Sequence, residues 1–125
     1  MAISIILADD HPVVRRGMQA LLESERDFSI VGVASDGLEA VGLTERLKPD
    51  VVVLDLMMPV LSGWEVLRER ARDPELQQIP VILISAARGP EISEAVDKGV
   101  CAFLPKPFDI GALTALVRSC IPETR

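Results

Sequence analysis

Five polar residues close four largely apolar runs in this chain: Asp9-Asp10 after Ile3-Ser4-Ile5-Ile6-Leu7-Ala8, Asp55 after Val51-Val52-Val53-Leu54, Ser85 after Val81-Ile82-Leu83-Ile84, and Lys106 after Cys101-Ala102-Phe103-Leu104-Pro105. A carboxylate leaving a buried strand is costly unless it meets water, a cation or hydrogen-bond donors, so Asp55 belongs at a strand tip with company. Three carboxylates gathered to about 5 Å would repel by roughly 3 kcal/mol per pair at an effective dielectric near 20. Asp9, Asp10 and Asp55 together carry a formal charge of -3, Lys106 restores one charge, and a divalent ion brings the group to zero. Oxygen ligands favour a hard ion, and few carboxylates with positions left for water favour Mg2+ over Ca2+, with Mn2+ as a substitute. One carboxylate, one metal and one lysine also make a phosphoryl-transfer site. Asp55 can attack phosphorus, Mg2+ and Lys106 can neutralise the equatorial oxygens, and the Ser85 hydroxyl can hydrogen-bond one of them. The plainer alternatives are that Asp55 only shapes the turn into Pro59, that Ser85 only ends a strand and that Phe103 is ordinary core.

These residues meet only if the elements carrying them share one edge. The 125 residues suffice for one domain, read here as residues 1–125 with 121–125 as a tail or the start of a cut linker. Hydrophobic residues make up 49% of the chain but aromatics only 3%, so Val, Ile, Leu, Met and Ala must build the core. Strands are expected at Ile3 to Ala8, Phe28 to Ala34, Val51 to Leu54, Val81 to Ser85 and Cys101 to Leu104. Between and after them, helical spacing runs from Pro12 to about Ser24, from Asp36-Gly37 to Leu47, around Val66, Leu67 and Arg70 before Asp73-Pro74, around Ile92 to Gly99, and from Ile110 to Cys120. Strict alternation of five strands and five helices predicts an α/β fold: a flavodoxin-like (βα)5 doubly wound parallel sheet of strand order 2-1-3-4-5. In that order strands one and three are neighbours, and the crevice between them lies beside Asp9, Asp10 and Asp55.

Composition narrows the partners. A net charge of -6 without a Lys/Arg cluster argues against direct nucleic-acid binding. No apolar run approaches the length of a membrane span, and the first residues lack the basic region of a signal peptide, so a cytoplasmic protein is expected. Cys101 and Cys120 have neither metal-ligand spacing nor an evident framework role, and both read as small core hydrophobes. His11, the single histidine, reads as structural.

In the order and spacing of Leu7-Ala8-Asp9-Asp10, Val53-Leu54-Asp55-Leu56-Met57-Met58-Pro59 with Gly63, Ile84-Ser85-Ala86 and Leu104-Pro105-Lys106-Pro107, the chain resembles a response-regulator receiver domain of the CheY-like superfamily from end to end. The resemblance implies that Asp55 is the phosphoacceptor, Asp10 a direct Mg2+ ligand, Asp9 a ligand through water, and the Met57 main-chain carbonyl a further ligand. It makes Ser85 the hydroxyl switch residue, Phe103 its aromatic partner, and Lys106 the phosphoryl-binding cation, joined to Pro107 by a cis peptide. It also implies a histidine kinase or histidine phosphotransfer protein as donor. An output protein or domain would bind the face built from the fourth helix (Glu91 to Lys98), the fifth strand (Ala102 to Leu104) and the last helix (Ile110 to Cys120), with a phosphorylation-dependent homodimer left open. Asp9-Asp10-His11-Pro12 resembles receivers fused to helix-turn-helix output domains, so the chain either works alone or is cut from a longer regulator.

Rival readings come from other classes. An aspartyl-nucleophile phosphatase of the haloacid dehalogenase type would need a second acid where Met57 stands, without which fast turnover is implausible. A flavin module would place phosphate where Asp9-Asp10 repel it. A phosphorylation-independent interaction module has no need of a complete set of pocket acids.

Overall fold

A computed structural model of the protein describes residues 2–55, 62–85, 100–106 and 109–121. In chain order the elements are β1 (Ile3–Ala8), α1 (Pro12–Glu23), β2 (Phe28–Ala34), α2 (Gly37–Leu47), β3 (Val51–Asp55), α3 (Gly63–Arg72), the one-turn α4 (Pro74–Gln77), β4 (Val81–Ser85), β5 (Ala102–Pro105) and α5 (Ile110–Cys120). The strands form one parallel sheet in the order β2-β1-β3-β4-β5, as expected. The helix expected around Ile92 to Gly99 lies outside the described residues.

Three elements differ from the sequence reading: β3 runs one residue further, to Asp55, a short helix follows α3, and β5 is shifted. Pro74 has no N–H to continue α3, but it suits the first turn of a new helix, and the Asp73 carboxylate accepts from Glu75 N at 2.9 Å, so the short α4 follows at once. β5 starts one residue later than expected and includes Pro105, which stands opposite Ser85 on the edge strand, where a missing N–H is tolerated.

Buried on both faces, β1, β3 and β4 read as continuous apolar runs rather than alternating ones. Ile6, Ala8, Val52, Leu54, Val81 and Leu83 form one core with residues of α2, α3 and α4, while Ile5, Leu7, Val51, Val53, Ile82 and Ile84 form the other with α1 and α5. Each fully buried aliphatic side chain contributes about 1.5–3 kcal/mol, which makes these layers a stiff support for the strand tips. Register is locked at the opposite end of the sheet. There the Asp50 carboxylate accepts from Ser4 N at 2.8 Å and Ser4 Oγ at 3.1 Å, while Asp50 N donates to Ser4 O at 2.9 Å.

Edge strand β2 bulges against β1 between the pairs Ile5–Ile30 and Ile6–Gly32, which turns Val31 out to 40% exposure. Gly32 sits tightly under α2: a Cβ there would lie 3.3 Å from Leu47 Cδ1 and 3.4 Å from both Leu43 Cδ1 and Ile6 Cγ1.

The cysteines overturn the sequence reading. Cys101, exposed before β5, and Cys120, buried at the end of α5, are joined in a disulfide with Cα atoms 6.1 Å apart. Nothing local signals this pair, because their 19-residue separation resembles no framework pattern; the bridge arises where the last turn of α5 returns to the start of β5. On the same last turn of α5, Arg118 donates to Glu25 at 2.8 Å and Asp27 at 3.0 Å and covers the Phe28 ring at 4.7 Å, fastening α5 to the entry of β2.

Candidate functional site

Parallel register brings the polar stretches to one edge in steps. β1 and β3 pair Ala8 with Leu54, so Asp9 and Asp55 leave adjacent strands at the same level. β3 and β4 pair Asp55 with Ile84, placing Ser85 one residue beyond, and β4 and β5 pair Ser85 with Pro105, placing Lys106 next. Strands lie about 4.8 Å apart, so groups at successive tips are within reach of one another. Asp9, Asp55 and Ser85 are the buried polar residues among those described, at 0%, 1% and 0% exposure.

The Lys106 ammonium ties the two buried acids together, 3.0 Å from Asp9 Oδ2 and 3.1 Å from Asp55 Oδ2. Burial alone would push its pKa down, but the hydrogen bond to Asp9 and the charge and hydrogen bond of Asp55 outweigh that and hold it above the ordinary lysine value. Lys106 N also donates to Ser85 O at 2.9 Å, which fixes the tip of β5 against β4.

On the other side of the pocket, His11 Nδ1 lies 3.1 Å from Asp9 Oδ1, 3.1 Å from Asp10 Oδ1 and 3.9 Å from Asp55 Oδ2. Ligand-capable atoms of Asp9, Asp10, His11 and Asp55 all lie within 4.8 Å of one another. Asp10 Oδ1 is buried and accepts no hydrogen bond, although His11 Nδ1 lies 3.1 Å away. Such an oxygen is costly unless a cation reaches it. The donor set, carboxylate oxygens with one of them buried and unsatisfied, therefore fits a hard divalent cation. Arg15, one turn into α1, donates to the Asp9 carbonyl at 2.9 Å and holds this loop against the sheet.

Of the residues singled out in the sequence, Asp9, Asp10, Asp55, Ser85 and Lys106 come together here. Phe103 is half-buried on β5 beside Leu83, packed on the core shared with α2 and α3. Met57 and Pro107, with the Lys106–Pro107 peptide, lie outside the described residues. The sequence reading passed over His11 and Arg15 as pocket residues. Their signal was positional: His11 follows the acidic pair directly, and Arg15 stands four residues further on, its N–H bonded to His11 O at 2.8 Å.

The profile of the response regulator receiver domain matches residues 5–118. Among relatives, the chain is 37% identical over 121 residues to the response regulator Rre1 of Synechocystis, covering 95% of this chain and 52% of that one. It is 35% identical over 115 residues to the nitrate/nitrite response regulator NarP of Escherichia coli, covering 92% and 53%. The chain thus spans about half the length of these relatives. Among solved structures, the response regulator domain of Thermotoga maritima CheB superposes with a TM-score of 0.87 at 30% identity over 96% of both chains. The receiver domain of a sensor histidine kinase from Pseudomonas aeruginosa, solved with a magnesium ion coordinated in its active-site cleft, gives 0.84 at 27% identity over 95% of this chain and 97% of that one.

Proposed function

This chain belongs to the response regulator receiver domain family, and on that premise we propose that Asp55 accepts a phosphoryl group from the phosphohistidine of a histidine kinase or histidine phosphotransfer protein. A carboxylate oxygen of Asp55 forms the new bond to phosphorus as the bond from phosphorus to the donor imidazole breaks. Asp10 and Asp9 would hold Mg2+, with Asp55 and the carbonyl of Met57, a residue outside those described, completing the protein's share. Bound there, Mg2+ supplies Lewis-acid stabilisation of charge on the phosphoryl oxygens. Lys106 neutralises a second oxygen and Ser85 donates a hydrogen bond to a third. The observation that carries the reading is the placement of Asp55, 1% exposed, with Lys106 Nζ 3.1 Å away and Asp9 and Asp10 beside it.

The product is a signal rather than a turned-over substrate, so the domain acts as a switch and not as an enzyme. Phosphorylation replaces a single negative charge with a group bearing about -2, offering strong acceptors to Ser85 and Lys106. Ser85 moves toward the group, Phe103 turns into the space beside β4, and the surface from Glu91 to Lys98, β5 and α5 changes for an output partner or a second copy of the chain. A packed core favours two discrete arrangements over a continuum. The setting is cytoplasmic, a compartment that holds most thiols reduced, so the Cys101–Cys120 bridge is the oxidised form of that pair.

Amide hydrogen exchange with and without beryllofluoride and Mg2+ tests this reading. Protection should change at the pocket and across β5 and α5, and Ser85→Ala should weaken the distant change only. Changes confined to the Asp10 and Asp55 loops would place the signalling surface elsewhere.

A further inference from the structure

We infer that His11 is a ligand of the pocket cation, which makes this a mixed nitrogen and oxygen site that favours first-row transition ions such as Mn2+ and Zn2+ over Mg2+. The inference rests on the cation-binding reading of the pocket proposed above and adds one residue and one ion class to it. His11 occupies the N-cap of α1, a position usually given to Ser, Thr, Asp or Asn because their side chains satisfy the first free N–H groups of the helix. Here the side chain makes no capping hydrogen bond; its ring turns instead into the pocket.

The distances suit a shared ion better than a plain ion pair. A charge-assisted N–H···O bond closes to about 2.7–2.9 Å and points at one acceptor. His11 Nδ1 is hydrogen-bonded to Asp9 Oδ1 at the longer distance of 3.1 Å, and it lies equally 3.1 Å from Asp10 Oδ1, which accepts no hydrogen bond at all. Adjacent ligands in an octahedron stand about 1.4 bond lengths apart, so bonds of about 2.1 Å give edges of about 3.0 Å. His11 Nδ1 is thus spaced from Asp9 Oδ1, and from Asp10 Oδ1, as neighbouring corners around one ion are spaced.

Lys106 does not compete for these atoms. It engages Oδ2 of both Asp9 and Asp55, leaving Asp9 Oδ1 facing His11. Imidazole nitrogen suits Zn, Cu, Ni and Fe, whereas Mg2+ holds to oxygen and water, and affinity at such a site rises along the divalent series from Mn2+. The ring side chain is 60% exposed, so it can swing onto an arriving ion without disturbing the core.

Because His11 is the single histidine in the sequence, labelling the protein with 15N-histidine labels this residue alone. The test is pulsed electron paramagnetic resonance of Mn2+ bound to the full chain. A 14N modulation that converts to the 15N pattern on labelling, and vanishes in His11→Ala with Mn2+ still bound, is the expected result. In calorimetry His11→Ala should reduce Zn2+ affinity by about tenfold more than Mg2+ affinity. Mn2+ that binds without histidine nitrogen coupling, or equal loss for both ions, overturns the role of His11 while leaving the cation site standing. No divalent binding to the wild-type pocket at all overturns both this inference and the reading on which it rests.

Discussion

Replacing Lys106 by methionine removes one charge and keeps most of the aliphatic stem, so it isolates what the ammonium does for the two acids it bridges. At 3.0 Å from Asp9 and 3.1 Å from Asp55, each attraction amounts to about 5 kcal/mol at an effective dielectric near 20. Desolvation of three charged groups cancels much of that gain, so the pair attractions overstate the net effect. Removing one partner of a buried pair nonetheless strands the others and costs about 3–5 kcal/mol. Here the lower figure applies, because the Lys106 side chain is 19% exposed and His11 still stands 3.1 Å from Asp9. Without divalent ions, Lys106→Met should lose about 3 kcal/mol, a fall in Tm of about 10 °C for a domain of this size. With Mg2+ the ion replaces the missing positive charge, so the loss should shrink by at least about half. Urea unfolding followed by circular dichroism, in EDTA and in saturating Mg2+, measures both quantities. A loss below about 1 kcal/mol in EDTA, or the same loss in both conditions, would refute the reasoning that Lys106 and the divalent ion neutralise one acidic pocket.

Three further outcomes follow from the same geometry. Asp10→Asn should weaken Mg2+ binding more than Asp9→Asn in calorimetry, since Asp10 Oδ1 is the buried oxygen with no hydrogen bond while Asp9 is held by Lys106 and the His11 main chain; equal losses would reject that division. The raised pKa of Lys106 means its contribution to stability is complete below about pH 10.4 and declines as pH climbs through the higher folded value, so wild type should lose stability there faster than Lys106→Met in alkaline urea titrations. Cys101→Ser should cost about 3 kcal/mol under oxidising conditions and little under reducing ones, because the bridge closes a loop across a separation of 19 residues; an equal cost in both would show the bridge to be irrelevant to stability.

Much of this was legible in the chain because the pocket sits on strands whose faces are both buried. Val51-Val52-Val53-Leu54 admits few other readings, and once β1 and β3 are neighbours Asp9 and Asp55 must meet at the same level. Ser85 and Lys106 follow by one register step each. What was not legible depends on tertiary approach rather than on period. The Cys101–Cys120 bridge needs α5 to return to β5, and α4 forms only because Asp73 and Pro74 end one helix and begin another. His11 escaped for a different reason: its neighbours in sequence suggest a pocket, but the turn of its ring toward Asp9 and Asp10 is a rotamer choice that no spacing encodes.

The central claim is that Asp55 is a Mg2+-dependent phosphoacceptor, and intact-mass measurement after incubation with acetyl phosphate tests it most directly. The wild-type chain should gain the mass of one phosphoryl group with Mg2+ and none in EDTA, and Asp55→Asn should gain none in either. A phosphoryl group on the Asp55→Asn variant, or one acquired by the wild type in EDTA, would contradict the account.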